Sequence, residues 1–236
     1  MSENAHKQNN DRMLQFRAYE EEKRRSELAS AHGEASFPKT AAEPAMAVGE
    51  AQERPPQKKL FSEVPSIEGE RIVLDRVVDA DAEALRDLIE NPLVQRYLPT
   101  YLFEKQFDDV HKAISLLYGD LFADKESLIL AIREKETGEL AGLAEFYGLR
   151  DRLHKISVGY RLRERFWKRG LATEAARLMV GYLYGETDIE IITASTMVEN
   201  EASAHVLEKA DFIRTARFVE EDWGFPEPTI VDKWFC

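Results

Sequence analysis

From Leu60 onward the apolar positions of this chain fall into short units, and the period of each unit predicts its conformation. In GERIVLDRV, Ile72 and Leu74 alternate with polar neighbours, which predicts a first strand. DADAEALRDLIEN then places Ala82, Leu85, Leu88 and Ile89 on one helical face behind an acidic capping stretch. FDDVHKAISLLYGDLF repeats helical spacing with Val110, Ile114, Leu117 and Leu121. SLILAIREKETGELAGLAEFYGL reads as a strand, a turn around Thr137-Gly138 and a second strand. KISVGYRLR predicts another strand, ATEAARLMVGYLYG a helix ending near Gly185, and IEIITASTMV a β-branched strand suited to a buried place in a sheet. EASAHVLEKADF gives a last helix, and FIRTARFVEE and TIVDKWFC two last strands. The order β α α β β β α β α β β predicts an α/β fold: a mixed sheet of about seven strands with helices on its faces.

Residues 1–58 break this pattern. The mixed-charge run YEEEKRRSEL is followed by Ala, Glu and Pro and ends in ERPPQKK, which reads as an N-terminal extension and linker. Residues 59–236 remain as one domain long enough to bury a sizeable core. Within the extension, Met13, Leu14, Phe16 and Tyr19 ahead of alternating charge fit an amphipathic helix; a solvated, partly helical tail is the alternative reading.

Charge narrows the partners. Through Lys58 there are nine Lys/Arg against ten Asp/Glu, leaving 23 against 34 for the rest of a chain whose formal net charge is −12. The acidity therefore belongs to the domain, repels nucleic-acid phosphate, and favours amine-bearing, cationic partners. No window approaches the roughly 18 apolar residues of a membrane span. MSENAHKQNNDR lacks the pattern of a secretory signal and the single cysteine is Cys236, so the cytoplasm is the expected compartment. The five histidines are scattered, with neither HExxH nor paired Cys/His ligands, and no metal site is expected.

Against that acidity stands RERFWKRGLATEA, Arg163 to Ala175, where a strand hands over to a helix beginning near Ala172. The start of a helix leaves backbone N–H groups unpaired and carries partial positive charge, so a glycine and cations there suit a pyrophosphate seated over Arg169, Gly170, Leu171 and Ala172. The spacing is neither a Walker loop nor GxGxxG. The competing reading is a solvated basic patch of Arg161, Arg163, Arg165, Lys168 and Arg169, with Gly170 permitting a turn.

FWKRGLATEA, followed by a helix, a strand and VENEASAHVLEKADF, resembles the GCN5-related N-acetyltransferase (GNAT) superfamily, most closely the RimJ/RimL-like branch that acetylates ribosomal-protein N-termini. The resemblance runs from about Gly69 to Cys236 and includes GERIVLDRVVDADAEAL, NPLVQRYLP, KETGELAG, VGY and the terminal DKWF. It implies a mostly antiparallel sheet and acetyl-CoA as cosubstrate. The pyrophosphate would lie on amides of Trp167, Lys168, Arg169, Gly170, Leu171, Ala172 and Thr173, and Asn200 and Ser203 would sit near the thioester sulfur and pantetheine arm. The strands KISVGY and IEIITAS would splay apart, and the pantetheine would bond in the gap like an added strand.

The resemblance also implies attack of an amine on the thioester, with an oxyanion donor near Val158 or Gly159. Ser157 stands where related enzymes often carry glutamate, which leaves Glu145 on the neighbouring strand as the candidate base, or as an ordinary ion-paired carboxylate. Ser203 and Tyr160 are candidate acids, with helix capping and aromatic packing as their alternatives. Two further departures are Lys168 in place of a commonly small residue and Asp211 in place of the glycine of Lys-x-Gly-Phe. The acceptor side would be built by NPLVQRYLPTYLFEKQ and WGFPEP, with Tyr97, Tyr101, Phe103 and Trp223 as candidate linings. The expected acceptor is a protein N-terminus or a small cationic amine, and the expected state a monomer or homodimer. The rival readings are a non-catalytic CoA-sensing or partner-binding module, encouraged by Ser157 and Asp211, and an assembly protein in which acyl-CoA binding is structural.

Overall fold

Eight strands form one sheet in the computed structural model, which describes residues 57–236; the expected helix around Met13, Leu14, Phe16 and Tyr19 lies outside them. In chain order the strands are β1 (Ile67–Glu68), β2 (Ile72–Asp75), β3 (Ser127–Glu134), β4 (Leu140–Arg150), β5 (Lys155–Leu162), β6 (Ile191–Met197), β7 (Ile213–Glu221) and β8 (Thr229–Phe235). They lie side by side in the order β1-β2-β3-β4-β5-β6-β8-β7. Every neighbouring pair is antiparallel except β5 and β6. The strand beyond the expected seven is β1, whose two residues pair with Leu74 and Val73 and are too short to show a period.

The helices are α1 (Ala82–Glu90), α2 (Pro92–Gln95), α3 (Val110–Leu116), α4 (Asp120–Ala123), α5 (Leu171–Glu186) and α6 (Glu201–Lys209). Local chemistry sets several of their starts: Asn91 Oδ1 accepts from Leu93 N–H at 2.9 Å ahead of Pro92, and Asp109 Oδ1 accepts from His111 N–H at 3.0 Å. FDDVHKAISLLYGDLF, expected as a single helix, is two, α3 and α4. Tyr118 breaks it: its hydroxyl accepts from Val77 N–H at 2.7 Å and donates to Ile129 O at 2.9 Å. Seating that phenol against two backbone segments outweighs one more helical turn.

The sheet is covered on both faces by helices, so β3 is buried along nearly its whole length and reads as a continuous apolar run. On one face Leu128, Leu130, Ile132, Phe146 and Val158 pack with Ala175, Ala176 and Met179 of α5 and Leu207 of α6. On the other, Ile129, Ala131, Leu140 and Leu143 pack with Leu85 and Leu88 of α1 and Ile114 of α3. Strand alternation thus assigns each residue near the centre of the sheet to one of two cores.

Candidate active site

The ladder between β5 and β6 has three pairs, Lys155↔Ile191, Ile156↔Ile192 and Ser157↔Thr193, and stops there. From Thr193 onward β6 pairs with β8, while β5 continues its pairing with β4 as far as Leu162. The two parallel strands therefore part beyond Ser157. Arg163 N–H donates to Ala141 O at 2.9 Å, and the β4–β5 register runs unbroken from Gly142↔Leu162 to Tyr147↔Ser157. By alternation Arg161, Gly159 and Ser157 turn their N–H groups to β4, whereas Val158 and Tyr160 turn theirs to the opposite edge, Val158 at the last rung with β6 and Tyr160 in the gap. Gly159 and Val158 are thus both in ladders, Val158 N–H closing the last rung on Thr193 O, and Tyr160 presents the donor at the opening.

Immediately after β5 the chain makes a short turn at Glu164–Phe166, in which Phe166 and Trp167 N–H bond to Arg163 O and Glu164 O at 3.0 Å each. Lys168 and Gly170 then take positive φ, 59° and 79°, and α5 starts at Leu171. The first helical bond accepted by this turn runs from Glu174 N–H to Gly170 O at 3.1 Å. Among the described residues, the N–H groups of Lys168 to Thr173 have no protein acceptor. This is the donor row that an anion at a helix N-terminus needs. Lys168 in a left-handed conformation also gives a reason for small residues at that position, since a Cβ there is strained.

The arginines have other work. Arg169 pairs with Glu134, Arg165 with Glu139 at 2.6 Å, Arg163 with Asp87 at 2.7 Å, and Arg161 with Glu104 at 2.6 Å and Glu145 at 3.0 Å. Arg71 adds a clamp: its Nη1 donates to Arg169 O at 2.8 Å and its Nε to Glu174 Oε2 at 2.8 Å. Of the five cations in the expected basic patch, only Lys168 has no carboxylate partner among the described residues. Arg161 and Arg163 are withdrawn from solvent and so leave the expected patch, whereas Arg165 and Arg169 make their pairs at the surface.

Across the gap, Asn200 caps α6, its Oδ1 accepting from Ser203 N–H at 3.2 Å. Tyr160 Oη lies 3.1 Å from Ser203 Oγ and donates to Ser203 O at 3.2 Å. Asn200, Ser203 and Tyr160 thus form a hydrogen-bonded chain from the tip of α6 to β5. Burial pushes the Tyr160 phenol far above its ordinary value, against a smaller downward pull from Ser203, so it keeps its proton. Asp211, at the other end of α6, takes φ 64°, the left-handed conformation its place in the helix end requires.

Glu145 faces the other side of the sheet. Its Oε1 accepts from Ser127 Oγ at 2.6 Å and its Oε2 from Arg161 Nη1 at 3.0 Å, so both oxygens are occupied. Arg161 and Glu104 are buried, and neither Glu104 oxygen receives a hydrogen bond among the described residues despite the ion pair. Periodicity gave no sign of this cluster, because Glu104, Glu145 and Arg161 come from three separate segments. Ser157 Oγ lies 3.0 Å from Thr193 Oγ1, at the last rung before the strands part.

The two expected acceptor segments do meet. Thr100 N–H and Oγ1 both donate to Trp223 O, at 2.9 and 3.3 Å, and Tyr101 Oη to Asp222 O at 3.4 Å. Gly224, at φ 79°, lets this approach happen, because a Cβ there would collide with Thr100. Trp223 Nε1 donates to Glu221 Oε2 at 3.0 Å, and Glu221 Oε1 pairs with Lys233. Phe103 packs against Phe107 with rings 5.0 Å apart and joins the core under α1 and α3, while Tyr97 lies beside Arg96.

Residues 71–213 match the family described as the acetyltransferase (GNAT) domain. The uncharacterized N-acetyltransferase YoaA of Bacillus subtilis is 29% identical over 150 residues, covering 63% of this chain and 82% of that protein. Among solved structures, RimL, a ribosomal L7/L12 alpha-N-protein acetyltransferase in complex with coenzyme A, aligns with TM-score 0.62 and 16% identity over 73% of this chain and 97% of that one. Spermidine N-acetyltransferase from Vibrio cholerae, in complex with CoA and spermine, aligns with TM-score 0.58 and 17% identity over 70% and 95%. These structural likenesses carry the fold. The family match, with the parted strands and the glycine-led helix start, identifies the chain as a member of the GNAT acetyltransferase family.

Proposed function

We propose that the chain transfers an acetyl group from acetyl-CoA to a primary amine by direct attack within a ternary complex. The acceptor is a protein N-terminus or a small cationic amine. The observation that carries this reading is the parting of β5 from β6 after Ser157↔Thr193, directly beside the unpaired amides of Lys168 to Thr173. One end of that groove suits pyrophosphate and the other offers N–H groups along a strand edge, which is the donor set that acetyl-CoA requires. Acetyl-CoA supplies an acetyl carbon activated as a thioester.

The chain's own groups take the following roles. Amides from Lys168 to Thr173, with Gly170 allowing close approach and Lys168 adding a charge, hold the pyrophosphate; Trp167 N–H is already bonded to Glu164 O, and Arg169 acts through its backbone, since its side chain is bound to Glu134. Tyr160 offers its N–H group to the developing oxyanion, since Val158 N–H closes the last rung with β6. Tyr160 and Ser203 hold a proton for the departing sulfur, and Asn200 orients Ser203. Glu145 is assigned an electrostatic role toward the ammonium, because both of its oxygens already accept hydrogen bonds. The amine sheds one proton to solvent, its nitrogen bonds the acetyl carbon as the carbon–sulfur bond breaks, its second proton leaves, and the sulfur gains one.

The non-catalytic reading rests on Ser157 and Asp211. Asp211 adopts the backbone its position needs, and proton donation to sulfur does not depend on a carboxylate at Ser157. The test is thiol release from acetyl-CoA with a panel of amines and peptides, products read by mass spectrometry. Amine-dependent thiol release with N-acetyl product is the expected result; acetyl-CoA binding without turnover on any amine would favour the sensing module.

A further inference from the structure

The free edge of β5 carries a short row of main-chain groups. Because Arg161 and Arg163 turn their N–H and C=O groups to β4, those of Tyr160 and Leu162 turn to the opposite edge, into the gap left by β6. A ligand that pairs there like an added strand meets, in order, Tyr160 N–H, Tyr160 O and Leu162 N–H. The next group, Leu162 O, is taken: Trp167 Nε1 donates to it at 2.8 Å. The indole therefore closes the pairing edge of β5 one residue before the unpaired amides of Lys168 to Thr173 begin.

The ring is held but not covered. Trp167 is 37% exposed, whereas Trp234 is buried and Trp223 half-buried. Its backbone N–H is bound to Glu164 O at 3.0 Å, so the residue contributes no amide to the helix start. Among the described residues no ring or cation stacks on the indole, while the neighbouring Phe166 is buried beside Arg165 and Arg169, 4.9 and 5.3 Å from its centroid. A large apolar ring with both of its N–H groups spent, left open between a strand edge and an anion-binding turn, suits an apolar segment of a ligand that bridges the two.

Acetyl-CoA has such a segment. Between its last amide and its pyrophosphate lies the pantoyl carbon with its two methyl groups, and that carbon arrives where the strand-like pairing stops. We propose that Trp167 binds the carrier through its indole: the ring N–H ends the pairing at Leu162, and the exposed ring receives the pantoyl methyl groups, turning the ligand from the strand edge onto the amides of Lys168 to Thr173. This rests on the acetyl-CoA reading above. Trp167 thereby favours a pantetheine-bearing nucleotide over a bare nucleoside diphosphate.

The test titrates the full chain calorimetrically with acetyl-CoA and with adenosine 3′-phosphate 5′-diphosphate, which carries the same phosphates without the pantetheine. Trp167→Ala is expected to weaken acetyl-CoA binding roughly 10-fold, the worth of burying about two methyl groups, and to leave the nucleotide's Kd unchanged. Trp167→Phe keeps an apolar ring and is expected to recover most of the loss. In the wild-type chain acetyl-CoA should change the tryptophan emission and the nucleotide should not, and the change should vanish in Trp167→Phe; this readout does not depend on Trp167→Ala folding. Equal weakening of both ligands would show that the ring only shapes the turn and overturns the inference. So does an unchanged acetyl-CoA affinity in Trp167→Ala, or an emission change that persists in Trp167→Phe. A wild-type chain that binds neither ligand overturns the acetyl-CoA reading and this inference together.

Discussion

Arg161 joins three segments of the chain through one buried guanidinium. Its guanidinium is buried between Glu104, on the turn before α3, and Glu145, on β4, and so ties a loop to the strand beside the gap. Removing one partner of a buried ion pair leaves the others uncompensated in a poorly solvated place. Arg161→Met is therefore expected to cost about 3–5 kcal/mol in urea unfolding. A loss below about 1 kcal/mol would mean that the two carboxylates are already neutralised by other means. None of this was legible from RLRER, where Arg161 looked like one member of a surface patch. Its partners and those of Arg163, Arg165 and Arg169 come from segments distant in sequence, and pairing across a sheet leaves no local trace.

At the scale of elements, the start of α5 was legible because glycine, helix periodicity and cations coincide within one short stretch. The means of bracing it were not. Glu174, in the first turn, accepts from Arg71 N–H at 2.7 Å, Arg71 Nε at 2.8 Å and Ile72 N–H at 3.3 Å, locking the helix to the start of β2. Burial by itself pushes the Glu174 carboxyl up, but these hydrogen bonds outweigh it and hold the group below its ordinary value of 4.5. A lowered carboxyl contributes stability that is present above its unfolded value and lost as pH falls through the folded one. The wild-type chain should thus lose stability below pH 4.5, and Glu174→Gln should show a shallower acid limb in the same denaturation series. Identical acid limbs would show that the clamp is not coupled to folding. The split of α3 from α4 was hidden for the opposite reason: apolar spacing continues through Tyr118, and only tertiary bonds to Val77 and Ile129 interrupt it.

At the scale of the whole molecule, period and order gave the layering and seven of the eight strands, because each is long enough for alternation to show. The parting of β5 and β6 is a property of pairing: their ladder stops after Ser157↔Thr193, while β6 runs on beside β8 at its other edge and β5 beside β4. No single strand's sequence encodes that. The parted strands open beside the amides of Lys168 to Thr173 on a domain whose net charge is acidic, so the proposed pyrophosphate would be met by backbone more than by side chains. Gly170, at φ 79°, keeps that backbone accessible. The most direct test is a calorimetric titration of the full chain with acetyl-CoA. Saturable binding of one molecule per chain is the predicted result, and no detectable binding up to millimolar acetyl-CoA would contradict the account.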